Sequence, residues 1–260
     1  MIRLWVTFLL AGGAPATTVQ LRRYYVGRLS DAHPDLLAVT VDDLAAWLGS
    51  QTWAPNTMKS ARSALRSFYG WARATGRRED SPAELLPPVR VPRARPRPTP
   101  EVAYRSALAI ADEREQLALM LGAQCGLRRG EIARVRGRDL EPDLSGWSLR
   151  VVGKGGHVRL VPVTADVAAR IRRRGEDWTF PTPRGGHLTP HHLAKLVSAL
   201  LPDGVTTHSL RHRCATTAYA ATRDLRAVQD LLGHSKPETT AGYVLTPQGA
   251  VRAAVEAAAA

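Results

Sequence analysis

Over roughly the first 86 positions, apolar residues recur at the spacing of helices. In the short run from Leu4 to Leu10, Trp5, Val6, Leu9 and Leu10 suit the buried stripe of a first helix stopped by Gly12-Gly13. The same opening, one arginine followed by apolar and then small residues, resembles a short secretory signal, but the run sits at the bottom of the length range for such a core. A helix is therefore expected there. Others are expected over Thr17 to Arg28, over Thr40 to Leu48 with Asp42 and Asp43 in the first turn, and over Pro55 to Thr75. In the last of these, Met58, Ala61, Leu65, Phe68, Tyr69 and Ala72 form an apolar stripe while Lys59, Arg62, Arg66 and Arg73 make another face basic.

Between Leu86 and Pro100 the pattern lapses. Prolines at 87, 88, 92, 96, 98 and 100 forbid helix or central strand, so an extended linker is expected over 87–100, carrying Arg93, Arg95 and Arg97. Beyond it, Glu101 to about Ala111 and Glu115 to Ala123 read as helices, the second stopping at Gly126. The period then changes to two. Trp147 to Val152 and His157 to Pro162 alternate around Gly153-Lys154-Gly155-Gly156, which predicts a β-hairpin. Helices return at Ala165 to Arg173, Pro190 to Leu200, Leu210 to Ala221, Leu225 to Leu232 and Pro247 to Ala259. The expected organisation is a helical domain over 1–86, the linker, and a mixed domain over 101–260, mainly α with a small β-hairpin.

Charge adds a partner to this outline. The 260 residues carry 36 Lys+Arg against 23 Asp+Glu, a formal +13, and all but Lys59, Lys154, Lys195 and Lys236 of those cations are arginines. Such a surplus points to a polyanion, because binding phosphates with cations releases condensed counterions. On that reading Lys59, Arg62, Arg66, Arg93, Arg95 and Arg97 are expected to bind DNA. Cys125 and Cys214 show no pairing pattern and are expected to be buried, reduced thiols of an intracellular, cytoplasmic and nucleoid-associated protein. No apolar run approaches the roughly 20 residues that span a bilayer, so no membrane association is expected. His208 and His212 stand at the i, i+4 spacing of a zinc pair, but Arg211 lies between them, and neither a metal nor a cofactor is expected.

Five short segments carry chemistry together: Cys125-Gly126-Leu127-Arg128-Arg129-Gly130-Glu131-Ile132, Gly153-Lys154-Gly155-Gly156, Thr207-His208-Ser209-Leu210-Arg211-His212, Leu231-Leu232-Gly233-His234, and Tyr243 nine residues on. In this order and spacing, from about Thr99 to Tyr243, the chain resembles the tyrosine site-specific recombinases, the phage integrase and Xer-like family. Residues up to about 86, including Thr17-Thr18-Val19 and Thr57 to Arg62, resemble that family's helical core-binding domain, with less specific signatures. The resemblance implies a two-domain, C-shaped DNA clamp, and the length fits a minimal form without an arm-binding domain.

What the resemblance implies for individual residues agrees with their chemistry. Tyr243 is expected to attack the scissile phosphate, since a phenol is a nucleophile that can also leave. Arg128 and Arg211 would hold the non-bridging oxygens as always-protonated donors, Lys154 would protonate the leaving 5′-oxygen, and His208 would exchange a proton with Tyr243. His234 would hydrogen-bond the phosphate, Glu131 would orient Arg128, and His212 would buttress the site. The implied partners are double-stranded DNA with inverted half-sites, three further copies of the chain in a tetramer on synapsed DNA assembled from free monomers, and accessory proteins in some systems. The segment Gln248 to Ala260 would couple protomers. Two alternatives remain open at this point: a catalytically silent, architectural DNA-binding protein, and an enzyme of the type IB topoisomerase kind.

Overall fold

The computed structural model describes residues 1–92, 96–233, 240, 255 and 257, and the backbone alone of residue 154. Arg93, Arg95, His234, Tyr243, the expected helix Pro247 to Ala259 apart from residues 255 and 257, and the Lys154 side chain lie outside the described residues. The chain divides into two compact units, Met1–Arg93 and Ala94–Ala260.

The first unit is four helices: α1 (Ile2–Ala11), α2 (Ala16–Ala32), α3 (Val41–Gly49) and α4 (Pro55–Ala74), followed by a 3-10 turn at Pro82–Glu84. Thr40 caps α3, its hydroxyl accepting the Asp43 N–H at 3.2 Å while the Asp43 carboxylate accepts the Thr40 N–H at 2.9 Å. The apolar stripe of α4 is buried as its spacing predicts: Ala61, Leu65, Phe68, Tyr69 and Ala72 are all closed to solvent. Trp5 from α1 packs edge-on against Phe68 with ring centroids 5.4 Å apart.

The second unit opens after a stretch whose described part has no helix or strand. Thr99 already belongs to this unit: its N–H donates to the Ser209 carbonyl at 3.0 Å, and the residue is buried. Next come α5 (Glu101–Ile110), α6 (Glu113–Ala123), the single turn α7 (Arg129–Ile132), strands β1 (Leu140–Asp143), β2 (Gly146–Val152) and β3 (Val158–Val163), then α8 (Ala165–Arg172), α9 (Pro190–Ala199), α10 (Thr207–Thr222) and α11 (Leu225–Leu232). The apolar α6 is the hub against which α5, α7, α8, α9 and α10 pack.

The expected hairpin is one strand larger. The sheet is antiparallel in the order β1-β2-β3, with Leu140 opposite Leu149 and Val152 opposite Val158. Strand β1, Leu-Glu-Pro-Asp, is too short and too polar to show alternation, and it pairs only because β2 offers an edge. Helix α10 starts three residues before the expected Leu210, because Thr206 caps it by accepting the His208 N–H at 3.2 Å. Among the described residues no helix is long and apolar enough to cross a membrane.

Candidate active site

Arg128 takes its place from a break in the chain. Helix α6 ends at Ala123, Gly126 turns the backbone at φ +64°, and Arg128 stands in extended conformation at the head of α7. Only glycine fits at 126: a Cβ there would come within 2.6 Å of Leu232 Cδ2, and the left-handed φ strains any other residue. Arg128 is then held by Glu131, whose Oε2 accepts its backbone N–H at 2.9 Å and whose Oε1 accepts Nη1 at 2.9 Å. Glu131, expected to orient Arg128, is thus in direct contact with it.

Glu131 holds more than one arginine. Its side chain is 4% exposed, and besides Arg128 it accepts Arg159 Nη1 at 3.1 Å on Oε1 and Arg159 Nη2 at 2.9 Å on Oε2, with Arg211 Nη1 at 3.9 Å. Burial alone would raise its pKa. The Arg159 hydrogen bonds, the Arg128 N–H and the charges of both arginines outweigh burial and hold it down to about 2.

Arg211 sits deeper than an open phosphate clamp. Its side chain is 1% exposed; one Nη donates to the Gly126 carbonyl and the other to the Leu232 carbonyl at 2.7 Å. It thereby ties the turn before Arg128 to the last turn of α11, whose terminal carbonyls have no partner inside the helix.

Arg128, Arg129, His208 and Arg211 nevertheless line one cleft of about 630 Å³, together with Thr206, Thr207 and, from α9, His191, Lys195 and Ser198. The lining among the described residues includes no Asp or Glu. His208 is exposed at this cleft, yet its crowded surroundings partly desolvate it, and the charges of His212, Arg211, Arg128 and Arg129 add to that. All these effects keep its pKa below the ordinary histidine value. His212 packs edge-on against it with ring centroids 4.8 Å apart.

The Lys154 backbone lies in a tight turn closed by the Gly153 N–H on the His157 carbonyl at 2.8 Å. Of the basic face on α4, Lys59 and Arg66 are exposed, as is Arg97 of the expected linker. Arg62 is half-buried and donates Nε at 3.2 Å and Nη2 at 2.6 Å to the Leu86 carbonyl, a brace within its own unit. Cys125 and Cys214 are buried free thiols, and burial pushes them up to about 12 and about 11, far from a reactive thiolate. Among the described residues no cluster of His, Cys, Asp or Glu has the makings of a metal site.

Sequence reasoning missed Arg159, Arg129 and the α9 residues. Arg159 had a signal: it lies in phase with buried Val161 on β3, and a cation on the inward side of a strand needs a buried partner. His191, Lys195 and Ser198 share one helical face at i, i+4, i+7.

The profile of the Phage integrase family matches residues 101–247. A protein described as tyrosine recombinase XerC from Methylobacterium sp. (strain 4-46) is 34% identical, the match covering 86% of this chain and 79% of the relative. Tyrosine recombinase XerC of Myxococcus xanthus is 32% identical over 86% of this chain and 83% of its own. Among solved structures, a lambda integrase dimer bound to a COC′ core site has a TM-score of 0.75 at 19% identity, covering 93% of this chain and 75% of that one. The XerH site-specific recombinase bound to difH substrate has a TM-score of 0.72 at 19% identity, covering 94% and 80%. At that identity the structural likeness concerns the fold.

Proposed function

The chain belongs to the phage integrase family and is a tyrosine-type site-specific DNA recombinase, and from that premise we propose that it breaks and rejoins DNA through a 3′-phosphotyrosyl intermediate formed on Tyr243. The observation that carries this reading is the charge of the cleft. Arg128, Arg129, Arg211, Lys195 and two histidines, His191 and His208, line it, and the described lining includes no Asp or Glu. The pentavalent phosphorane of phosphoryl transfer is a dianion, and a cleft lined by cations is complementary to it.

The roles follow from reach and protonation. The Tyr243 phenolic oxygen attacks phosphorus, its proton passing to His208, whose depressed pKa keeps the imidazole neutral and receptive near pH 7. The bond from phosphorus to the 5′-oxygen breaks, and Lys154 supplies the proton that this oxygen needs to leave as a hydroxyl. Arg128 and Arg211 hold the non-bridging oxygens, His234 adds a hydrogen bond, and His212 supports His208. In the reverse direction a 5′-hydroxyl of the partner strand attacks the phosphotyrosine and releases Tyr243.

Binding in this reading uses basic residues of both units and of the stretch between them. Lys59, Arg66, Arg93, Arg95 and Arg97 neutralise backbone phosphates, with Arg62 contributing the part of its guanidinium not directed at Leu86. Two protomers occupy the inverted half-sites of each duplex, and a tetramer forms on synapsed DNA, with residues 248–260 coupling neighbours. The biological task in this reading is integration and excision of a mobile element.

Covalent capture tests the reading directly. Wild-type protein and Tyr243→Phe are incubated with fragmented DNA of the source genome, denatured in SDS, and the attached DNA is sequenced. Wild type is expected to retain one inverted-repeat site and Tyr243→Phe to retain none while binding DNA normally. Adducts from Tyr243→Phe, or salt-sensitive binding by wild type without any adduct, would reject the nucleophile or the chemistry respectively.

A further inference from the structure

Arg159 lies in none of the five motifs, yet its one side chain reaches three elements of the site. Nη1 and Nη2 grip the two Glu131 oxygens in a fork at 3.1 and 2.9 Å, and Nε donates to the Leu231 carbonyl in the last turn of α11 at 3.2 Å. Only a planar guanidinium can make this pattern, because its donors diverge in a fixed plane where an ammonium offers a compact point. The side chain is 12% exposed. With both ends of the guanidinium on Glu131 and Nε on Leu231, it acts through its neighbours and not on substrate.

The strand that bears Arg159 also carries the lysine turn, five residues upstream. That turn rests on the ion pair: a Cβ built on Gly153 would stand 3.5 Å from Glu131 Oε1 and 3.6 Å from Arg159 Nη1. On the opposite side, a Cβ on Gly233 would come within 2.7 Å of Arg159 Cδ, at a position whose φ of +63° ends α11. Gly233 thus admits the Arg159 side chain against α11, while on the hairpin side a Cβ at Gly153 would stand in ordinary van der Waals range of the ion pair.

We propose that Arg159 is a positioning residue that locks the Lys154 turn, the Arg128–Glu131 pair and the C-terminus of α11 into one unit, so that the leaving-group acid is presented in register with the phosphate clamp. This rests on the reading of Lys154 as that acid. Without Arg159 the hairpin loses its attachment to Glu131, and the lysine is held by the turn alone. A displacement of about 1 Å of a reacting group costs on the order of 10²-fold in rate.

The test is single-turnover cleavage of a nicked duplex carrying the captured site, made with either oxygen or sulfur at the bridging 5′ position, by wild type, Lys154→Ala, Arg159→Met and Arg159→Lys. Sulfur leaves without a proton, so it repairs the loss of the acid and nothing else. Arg159→Met is expected to bind DNA like wild type, to cleave the oxygen substrate about 10²-fold more slowly, and to recover most of that loss on the sulfur substrate. Arg159→Lys keeps the charge without the fork and is expected to show the same selective loss in milder form; it carries the comparison alone if the Met variant melts below the assay temperature. Equal slowing on both substrates, or undiminished cleavage of the oxygen substrate, in variants that bind normally would overturn the proposal while sulfur rescue of Lys154→Ala leaves the acid in place. Failure of sulfur to rescue Lys154→Ala removes the acid itself, and the positioning role falls with it.

Discussion

In the N-terminal unit the buried side chains are aromatic and aliphatic apart from Ser81, with Trp5 packed against Phe68 of α4 beside Tyr69 and Trp71, whereas the C-terminal unit encloses Glu131 and Arg211 among its leucines. Among the described residues no charged group of the N-terminal unit is buried. The difference teaches what each unit is for. Burying apolar area is the most direct route to stability, at about 25 cal/mol per Å², and the first unit follows it. A buried ion network contributes little net stability, since well-packed apolar residues of the same volume commonly do as well or better. Its place in the second unit is the cleft: Arg128 and Arg211, both held near Glu131, line it, and in the proposed reading they meet the phosphate there.

Matched truncations should break this symmetry most visibly. Arg211→Ala leaves Glu131 with one cation fewer and strips donors from the Gly126 and Leu232 carbonyls, so a loss of about 3–5 kcal/mol is expected. Phe68→Ala opens a cavity in the other unit and should lose a similar 3–5 kcal/mol or so. Thermal unfolding should rank the two together, while single-turnover cleavage per folded molecule at saturating DNA should vanish only for Arg211→Ala. If folded Phe68→Ala protein also fails to cleave, the division of labour between the units is wrong.

Acid should probe the same contrast with a smaller effect. The folded pKa of Glu131 is depressed from 4.5 to about 2, so its contribution is fully present above pH 4.5 and is lost as pH falls toward about 2. At ~1.4 kcal/mol per pKa unit, that window is worth about 3 kcal/mol. Urea unfolding followed down through pH 4.5 is expected to show a shallower fall in stability for Glu131→Gln than for wild type. Parallel curves for the two proteins would show that the ion network is not what acid attacks.

The smallest effects should erase the difference between the units. Thr40 caps α3 in one and Asp112 caps α6 in the other, each closing a reciprocal pair of hydrogen bonds with the residue three positions on. Thr40→Ala and Asp112→Ala should each lower stability by about 1 kcal/mol, with cleavage per folded molecule unchanged in both. A loss of cleavage in Asp112→Ala alone would mean that α6 transmits its position to Arg128.

Apolar stripes and glycine stops could be read directly from the chain, whereas the Asp112 and Thr206 caps start α6 and α10 earlier than their patterns predict. The helix Leu225 to Leu232 has the bounds its pattern predicts, because Asp224 begins it, Gly233 ends it, and both signals act within a few residues. Single-turn α7 and strand β1 were not foreseen. Four residues hold too few positions to display a period, and their existence depends on the Glu131 contacts and on the edge of β2. The candidate site divides in the same way. Arg128, Glu131, His208 and Arg211 stand in short motifs and could be named from residue type and order, whereas Arg159 could not, since it pairs with Glu131 across 28 positions.

The amino-acid sequence by itself determined the local decisions: which longer segments become helices, where glycine ends them, and that the charge calls for a polyanion. Tertiary structure alone decided how arginines from separate elements share one carboxylate, that Arg211 faces inward onto two carbonyls instead of outward, and that His208 titrates below its ordinary range. The reason is physical. Propensity and capping act through bonds and neighbours a few residues apart, but the energy of a charge depends on the solvent it has lost and on every other charge brought near it, and only the folded chain sets those distances.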